Sequence, residues 1–242
     1  MTIAHNLGFP RIGKGRELKW ALESYWRGES GEDALLDAAR TLKQRHWRLQ
    51  ANAGLDQLPV GDFSLYDHVL DHSVMLGAVP ARFGDFGGEI DLDTRFRMAR
   101  GRAPRGKDAD ACEMTKWFDT NYHYIVPELV RNQQFRLSSH ELFDDVELAR
   151  QIHASPRPVL LGPLTWLWLG KVKGQAFDRL DLVDELLPVY ADILERLDRQ
   201  GVEWVQIDEP ILVTDLPVSW RYAFETVYRH LAGRGPKVLL AT

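Results

Sequence analysis

The chain has 242 residues, of which 45% are hydrophobic and 10% aromatic, enough to bury the core of one large α/β domain or two small ones. Its 30 basic and 35 acidic side chains leave a formal net charge of −5, which argues against nucleic acid as a partner. Neither a secretory signal nor an apolar stretch of membrane-spanning length is found, and Cys112 is the single cysteine. We therefore expect a cytoplasmic protein that is not associated with a membrane.

Short apolar runs alternate along the chain with longer segments of helical periodicity. In the first half the pattern predicts, in chain order, a strand over 3–8, a helix from about residue 15, a helix over 32–53, a strand over 58–62, and helices over 65–76 and 92–100. The region 77–112 is rich in Gly, Arg and Asp, and predicts long loops around the last of these helices. Loops of this length are usually functional or mobile.

The second half continues the alternation. It predicts strands over 113–118 and 124–126, a helix over 139–153, a strand over 158–163, a helix over 180–200, a strand over 204–210, a helix over 219–231 and a strand over 237–242.

Strands that alternate with amphipathic helices indicate a parallel sheet covered by helices, which is an α/β fold. Three strands end in polar or Gly/Pro clusters, as the strands of a (β/α)8 TIM-type barrel do where they carry functional groups. A doubly wound sheet is the alternative, but no dinucleotide fingerprint follows the first strand. About six strands are counted, two short of a closed barrel. We therefore expect an incomplete barrel, and a fragment that self-associates through its open edge.

Two segments carry basic side chains in positions suited to an anion. Arg16 and Lys19 are three residues apart in the first turn of a predicted helix, so they share a face near its positive end. Unpaired N–H groups at that end would also attract a carboxylate or phosphate. The alternative, a solvated first turn, is favoured by composition alone. Lys116, in a largely apolar strand segment, is either a strand-end charge in solvent or a ligand group facing a cleft.

Acidic residues follow two of the predicted strands. Asp208 and Glu209 are adjacent at a strand end, and Asp62 ends another strand. Paired carboxylates carry out acid/base catalysis in glycosidases. Adjacent strand residues point to opposite faces, however, so Asp208 and Glu209 are not expected to converge on one substrate atom. Pairing with a neighbouring arginine is the preferred interpretation.

Metal and ring-stacking sites are the remaining candidates. His68 and His72 have the helical spacing of zinc ligands, but no cysteine or glutamate accompanies them, and a partly exposed helix face is the preferred interpretation. Trp166 and Trp168 could stack on a flat ligand, although core packing is preferred.

Six blocks of the sequence, in order, resemble the cobalamin-independent methionine synthase family. They are LGFPRIGKGRELKWALESYW (7–26), LPVGDFSLYDHVL (58–70), RGRAP (100–104), EMTKWFDTNYHYIVPE (113–128), PVLLGPLTWLWLGKVKG (158–174) and EWVQIDEPILV (203–213). So many long blocks in the family's order make the resemblance specific, and they extend over nearly the whole chain.

The resemblance implies two (β/α)8 barrels with the active site between them. It also implies transfer of a methyl group from 5-methyltetrahydropteroyl-triglutamate to homocysteine in methionine biosynthesis. Residues 1–242 would then be the N-terminal part of the first barrel. The folate-binding residues that the resemblance implies are Arg16, Glu17, Leu18, Lys19 and Lys116. Their basic side chains suit the carboxylates of the triglutamate tail.

The resemblance places the family's zinc ligands, its homocysteine site and its proton-donating histidine in a C-terminal barrel that this sequence lacks. Zinc there would bind the homocysteine thiol as thiolate. We therefore expect no catalytic residue, no metal ligand and no cobalamin in this chain, and homocysteine only with the missing barrel. The chain alone is expected to be inactive. The alternatives are a non-catalytic module that binds polyanions, and a barrel hydrolase that uses Asp62, Asp208 or Glu209.

Overall fold

The computed structural model describes residues 2–84 and 87–242. The predicted loop after residue 77 includes residues 85 and 86, which lie outside the described part. The α-helices are α1 (Glu17–Trp26), α2 (Glu32–Asn52), α3 (His68–Met75), α4 (Leu92–Arg100), α5 (Glu141–Arg150), α6 (Pro163–Leu169), α7 (Val183–Arg199) and α8 (Val218–Leu231). The strands are β1 (Leu58–Val60), β2 (Met114–Lys116), β3 (His123–Ile125), β4 (Glu128–Leu129), β5 (Pro156–Leu161), β6 (Lys171–Val172), β7 (Trp204–Asp208) and β8 (Lys237–Ala241).

Local chemistry explains where several helices begin and end. The Asp67 carboxylate caps α3 by accepting the N–H groups of residues 69 and 70. Asp91 caps α4 in the same way, at 2.6 Å from the Thr94 amide, and α4 ends at Gly101 in the left-handed conformation. Helix α6 begins with Pro163, whose missing N–H costs nothing at a first helical position.

The central sheet has four parallel strands in the order β1-β5-β7-β8. Its helix-covered face is apolar, with Leu160, Val205 and Ile207 fully buried against α7 and α8. A second hydrophobic cluster joins α1, α2 and α4 through Leu18 and Phe96. The predicted α/β class is confirmed, whereas the described residues form no closed sheet.

The strand predicted over 3–8 is wrong. These residues form no ladder with the sheet and instead lie across its second face, held mainly by side chains and by the Ala4 carbonyl, which accepts the Asp56 amide at 2.8 Å. The Arg157 guanidinium donates to the Asn6 carbonyl, Gln206 donates to the Leu7 carbonyl at 3.0 Å, and Asp62 accepts the Phe9 amide at 2.7 Å. An apolar run can therefore look like a strand while its backbone is bound by polar side chains.

The strands predicted over 113–118 and 124–126 exist but do not belong to the parallel sheet. Strands β2 and β3 form an antiparallel hairpin in which residue 116 is paired with His123. Strands β4 and β6, which form a short parallel pair, and helix α6 were not predicted. The estimate of about six barrel strands is therefore too high for the described residues, where four strands form the central sheet. No described helix is long and apolar enough to cross a membrane.

Candidate functional site

The first turn of α1 carries one of the two predicted cationic segments. Arg16 immediately precedes the helix and adopts the left-handed conformation, with φ 60° and ψ 33°. A non-glycine residue pays about 1 kcal/mol for this conformation. Gly13, at φ 84°, precedes it, and a Cβ atom at that position would lie 2.2 Å from the Glu17 carboxylate. The backbone is therefore shaped to bring Arg16 to the surface.

Glu17 and Leu18 hold the first turn of α1 together. The Glu17 carboxylate accepts the Gly15 amide at 2.9 Å and pairs with Arg45 at 2.7 Å, and the hydrogen bond with Arg45 lowers the pKa of Glu17 to about 2. Leu18 is fully buried, and its N–H donates to the Ile12 carbonyl. The expectation of free N–H groups at this helix end is thus wrong for Leu18.

Arg16 and Lys19 remain exposed or half-buried in this turn. Lys19 pairs loosely with Glu23, at 3.7 Å, and lines a cleft of about 260 Å³ together with Arg11 and Trp26. We call this the first cleft; its lining residues are Arg11, Ile12, Lys19, Leu22, Glu23, Trp26, Leu65 and Tyr66.

Lys116, the other predicted cation, lies at the end of β2 and is exposed. Two residues later Phe118 adopts φ 48°. Among the described residues only Arg16 and Phe118 combine a side chain with positive φ. Strained backbone of this kind is concentrated at functional sites. Both strained positions fall in the segments that sequence reasoning selected for ligand binding.

The segment 64–67 anchors both cationic regions. The Arg11 guanidinium, next to α1, donates to the carbonyl groups of Ser64 at 2.8 Å and Tyr66 at 2.5 Å. The buried Asp67 carboxylate caps α3 and also accepts the Ile125 amide of β3 at 2.8 Å and the Tyr122 hydroxyl at 3.1 Å. One short segment therefore fixes the loop before α1 and the hairpin that carries Lys116.

An aromatic group covers the junction between α3 and the hairpin. The ring of His68 lies 4.8 Å from that of Trp117 and 5.8 Å from that of Tyr122. Burial lowers the pKa of His68 to about 4, and the nearby positive charge of Arg11 acts in the same direction. His68 is therefore neutral at physiological pH and contributes a ring surface, not a charge, beside Lys116.

Sequence reasoning missed Arg11 and Asp67, whose partners lie 53–58 residues away along the chain. The one available signal was local, because Asp67 stands immediately before the helix that it caps.

The strand-end carboxylates do not form a catalytic pair. Glu209 is fully buried and accepts the Leu164 and Thr165 amides and the Thr165 and Tyr228 hydroxyls. The preferred pairing of Glu209 with an arginine is therefore wrong, because this carboxylate caps α6. Burial raises the pKa of Glu209 to about 7. Gly162 leaves the room for it, since a Cβ there would approach the carboxylate to 2.1 Å.

Asp208 and Asp62 lie on the other face of the sheet. Asp208 accepts from the Gln206 amide at 2.7 Å, and among the described residues it forms no ion pair with an arginine. Burial raises the pKa of Asp208 to about 6, and the charge of Arg157 opposes this shift. Burial also raises the pKa of Asp62 to about 6. The two adjacent carboxylates 208 and 209 thus point to opposite faces, as predicted.

The histidine pair is not a metal site. His72 is buried, and its Nδ1 lies 2.8 Å from the His68 carbonyl while its Nε2 accepts the Leu161 amide at 2.8 Å. The prediction of a partly exposed helix face is wrong for His72, because the ring is buried and joins α3 to β5. Burial lowers the pKa of His72 to about 4, so the ring is neutral. In the described residues no three His, Cys, Asp or Glu side chains are placed to hold a metal.

The two tryptophans of the sixth helix are packing residues, as preferred. Trp166 is fully buried and donates its indole N–H to the Ser73 hydroxyl at 3.2 Å. Trp168 packs edge-on against Trp220, with ring centroids 4.9 Å apart.

These features define an α/β domain in which two strained, cationic surface segments are fixed to one anchor. The family described as "Cobalamin-independent synthase, N-terminal domain" matches residues 3–242, and the chain belongs to this family. A solved structure from Listeria monocytogenes, named "Putative Vitamin-B12 Independent Methionine Synthase", shares the fold with a TM-score of 0.59 and 12% sequence identity. The match covers 99% of this chain and 65% of that one.

Proposed function

We propose that this chain binds the polyglutamate tail of 5-methyltetrahydropteroyl-triglutamate, as the N-terminal portion of an enzyme that methylates homocysteine to methionine. Family membership supports the reaction. The tail site is supported by the positions of the two non-glycine residues with strained, left-handed backbone. Arg16 is itself one of the predicted cationic residues, and Phe118 lies two residues after Lys116.

The tail is a string of carboxylates, and the proposed counter-charges are Arg16, Lys19 and Lys116. Glu17 and Leu18 act indirectly in this proposal, because their side chains are engaged in holding the turn. The aromatic group of Trp117 and His68 beside Lys116 provides an apolar surface for the aliphatic parts of the ligand.

The proposed architecture is the N-terminal part of the first of two (β/α)8 barrels. Strand β8 is an edge of the parallel sheet, and Val238 and Leu240 are 40% and 45% exposed there. On the sheet's second face, the buried atoms Arg157 Nε and Gln206 Oε1 have no hydrogen-bond partner in the described structure. An exposed sheet edge that carries apolar side chains favours pairing with a further strand.

Methyl transfer itself is assigned to the rest of the enzyme. The zinc that the family resemblance implies does not fit this chain, because the described residues offer no cluster of metal-binding side chains. Cys112 is no substitute, since burial raises the pKa of its thiol to about 12. We therefore propose that these residues bind the tail and that the chemical step takes place elsewhere in the enzyme.

Calorimetry on the 242-residue chain tests the proposal with 5-methyltetrahydropteroyl-triglutamate and its monoglutamate at low and physiological salt. We expect the triglutamate to bind more tightly, and its affinity to fall about tenfold or more in Arg16→Ala/Lys19→Ala. The double variant Arg48→Ala/Arg131→Ala removes the same charge from two exposed arginines outside the site and serves as control.

Equal affinity for both ligands in folded wild type would refute the tail site. Loss of binding in the control variant as well would show a nonspecific charge effect. Binding of unrelated polyanions such as inorganic triphosphate with equal affinity would favour the non-catalytic polyanion module.

A further inference from the structure

A second cleft, of about 330 Å³, adjoins the first cleft and shares Glu23 and Trp26 with it. Its other charged lining residues are Arg27, Arg100 and Arg102. Three guanidinium groups therefore surround a concave surface that contains one carboxylate. Arginine presents its N–H groups in a fork that matches a carboxylate, so this composition favours a carboxylate ligand.

Arg100 and Arg102 lack counter-ions. Neither has a hydrogen bond or an ion pair to any described residue, although most arginines nearby are paired. The Arg100 guanidinium stacks 3.9 Å from the ring centroid of Trp26. Burial and the like charge of Arg102 both lower the pKa of Arg100. Two neighbouring positive charges repel each other, and a bound anion would relieve that repulsion.

Trp26 supplies an independent observation. Its indole Nε1 is buried and has no acceptor among the described atoms. A buried donor without a partner is uncommon in folded proteins and needs an explanation. The atom has almost no accessible surface in this structure, so a ligand oxygen in the second cleft would reach it once a neighbouring side chain moves on binding.

We infer that the second cleft is a carboxylate-binding subsite, formed by Arg100, Arg102 and the Trp26 indole, which takes the outer glutamyl units of the tail. This inference rests on the proposed function and extends it, because tail length becomes a determinant of affinity at residues distinct from Arg16 and Lys19. The eight residue steps from Lys19 to Arg27, which lines the second cleft, rise about 12 Å. Three α-linked residues span about 10 Å, and a γ-linked glutamyl unit has five main-chain atoms in place of three, so a triglutamate spans about 17 Å and is long enough.

The test compares ligands whose tails contain one, two and three glutamates, titrated into the 242-residue chain by calorimetry. For wild type we expect affinity to rise with each unit. In Arg100→Gln/Arg102→Gln the increase in affinity from one glutamate to two should persist. The increase in affinity from two glutamates to three should fall about fivefold or more. Arg102→Gln alone, at an exposed position, keeps the test valid if the double variant does not fold. Arg48→Gln/Arg131→Gln is the charge-matched control.

The two proposals fail in distinguishable ways. If wild type shows no dependence on tail length, the proposed function is wrong. If affinity depends on tail length in wild type and the same dependence remains in full in Arg102→Gln and in the folded double variant, the proposed function stands and the second subsite is wrong.

Two further variants sharpen the assignment. Glu23→Gln removes the one carboxylate that lines both clefts, so the triglutamate should bind several-fold more tightly; weaker binding would contradict a repulsive role for Glu23. Trp26→Phe keeps a ring beneath Arg100 but removes the N–H, and should lose affinity for the triglutamate only. In wild type, the indole N–H resonance of Trp26 should move on addition of free tri-γ-glutamate. An unchanged resonance at saturation would overturn the contact.

Discussion

Replacing Glu209 by glutamine should change how the stability of this protein depends on pH. The carboxylate is fully buried at the start of α6, and burial raises its pKa from 4.5 to about 7. Because the pKa is higher in the folded state, the folded protein holds its proton more tightly than the unfolded chain. The stabilisation is complete below pH 4.5 and is lost as pH rises to 7 and beyond.

The magnitude follows from the two pKa values. Each unit of pKa difference corresponds to about 1.4 kcal/mol, so the full effect of Glu209 is about 3 kcal/mol. Between pH 5 and pH 8 about 2.5 kcal/mol of this is lost. With a urea m-value of about 2–3 kcal/mol/M, the midpoint of wild-type unfolding should fall by about 1 M more than that of Glu209→Gln.

Urea unfolding at pH 5, 6, 7 and 8 measures the difference directly. At pH 5 the variant should be about 1–2 kcal/mol less stable, because an amide replaces a group that accepts several hydrogen bonds. At pH 8 that gap should close or reverse. Glu185→Gln, at an exposed helix position, controls for the loss of one negative charge. Parallel stability curves for wild type and Glu209→Gln would show that the Glu209 carboxyl does not hold its proton in the fold.

The remaining predictions concern the anchor and the sheet edge. Asp67→Asn should cost about 1–3 kcal/mol and speed amide hydrogen exchange in the hairpin around Lys116 more than in α7, because one carboxylate joins β3 to α3; uniform exchange would contradict this. The 242-residue chain should self-associate through β8, measured by light scattering after size exclusion, and Val238→Lys/Leu240→Lys should reduce it. A monomeric wild type at tens of micromolar would refute the edge interaction.

The helices with strong amphipathic patterns were predictable from sequence. Helix α4 has its predicted bounds, and α2 ends one residue before the prediction. Helix α2 has an apolar face and a polar face, and α4, although mostly buried, alternates apolar and charged residues in its sequence. Helix α6 was missed because its sequence, PLTWLWL, is apolar at nearly every position, so no polar residues mark its period. The Gly-Pro pair before it was interpreted as a strand end, although Pro is also typical of a first helical position.

The candidate site was predictable only where its residues are close in sequence. Arg16 and Lys19 could be paired because three residues separate them on a helix. The anchoring role of Asp67 and the second cleft could not be predicted, because both depend on contacts between segments that lie far apart in the chain. The left-handed conformation of Phe118 was also hidden, since no glycine marks the position.

The pairing of charges says more about ligand binding here than the net charge does. A chain of net charge −5 would be expected to repel a polyanion, yet many of its carboxylates are neutralised locally. Glu17 pairs with Arg45, Glu128 with Arg82, and other acids such as Glu209 are buried with raised pKa values. Five basic side chains and one carboxylate line the two clefts around Trp26, and although Lys19 and Arg27 pair with acids, Arg100 and Arg102 pair with no described acid. A tail of carboxylates approaching α1 therefore meets a positive local field, because that field is set by the unpaired groups within a Debye length.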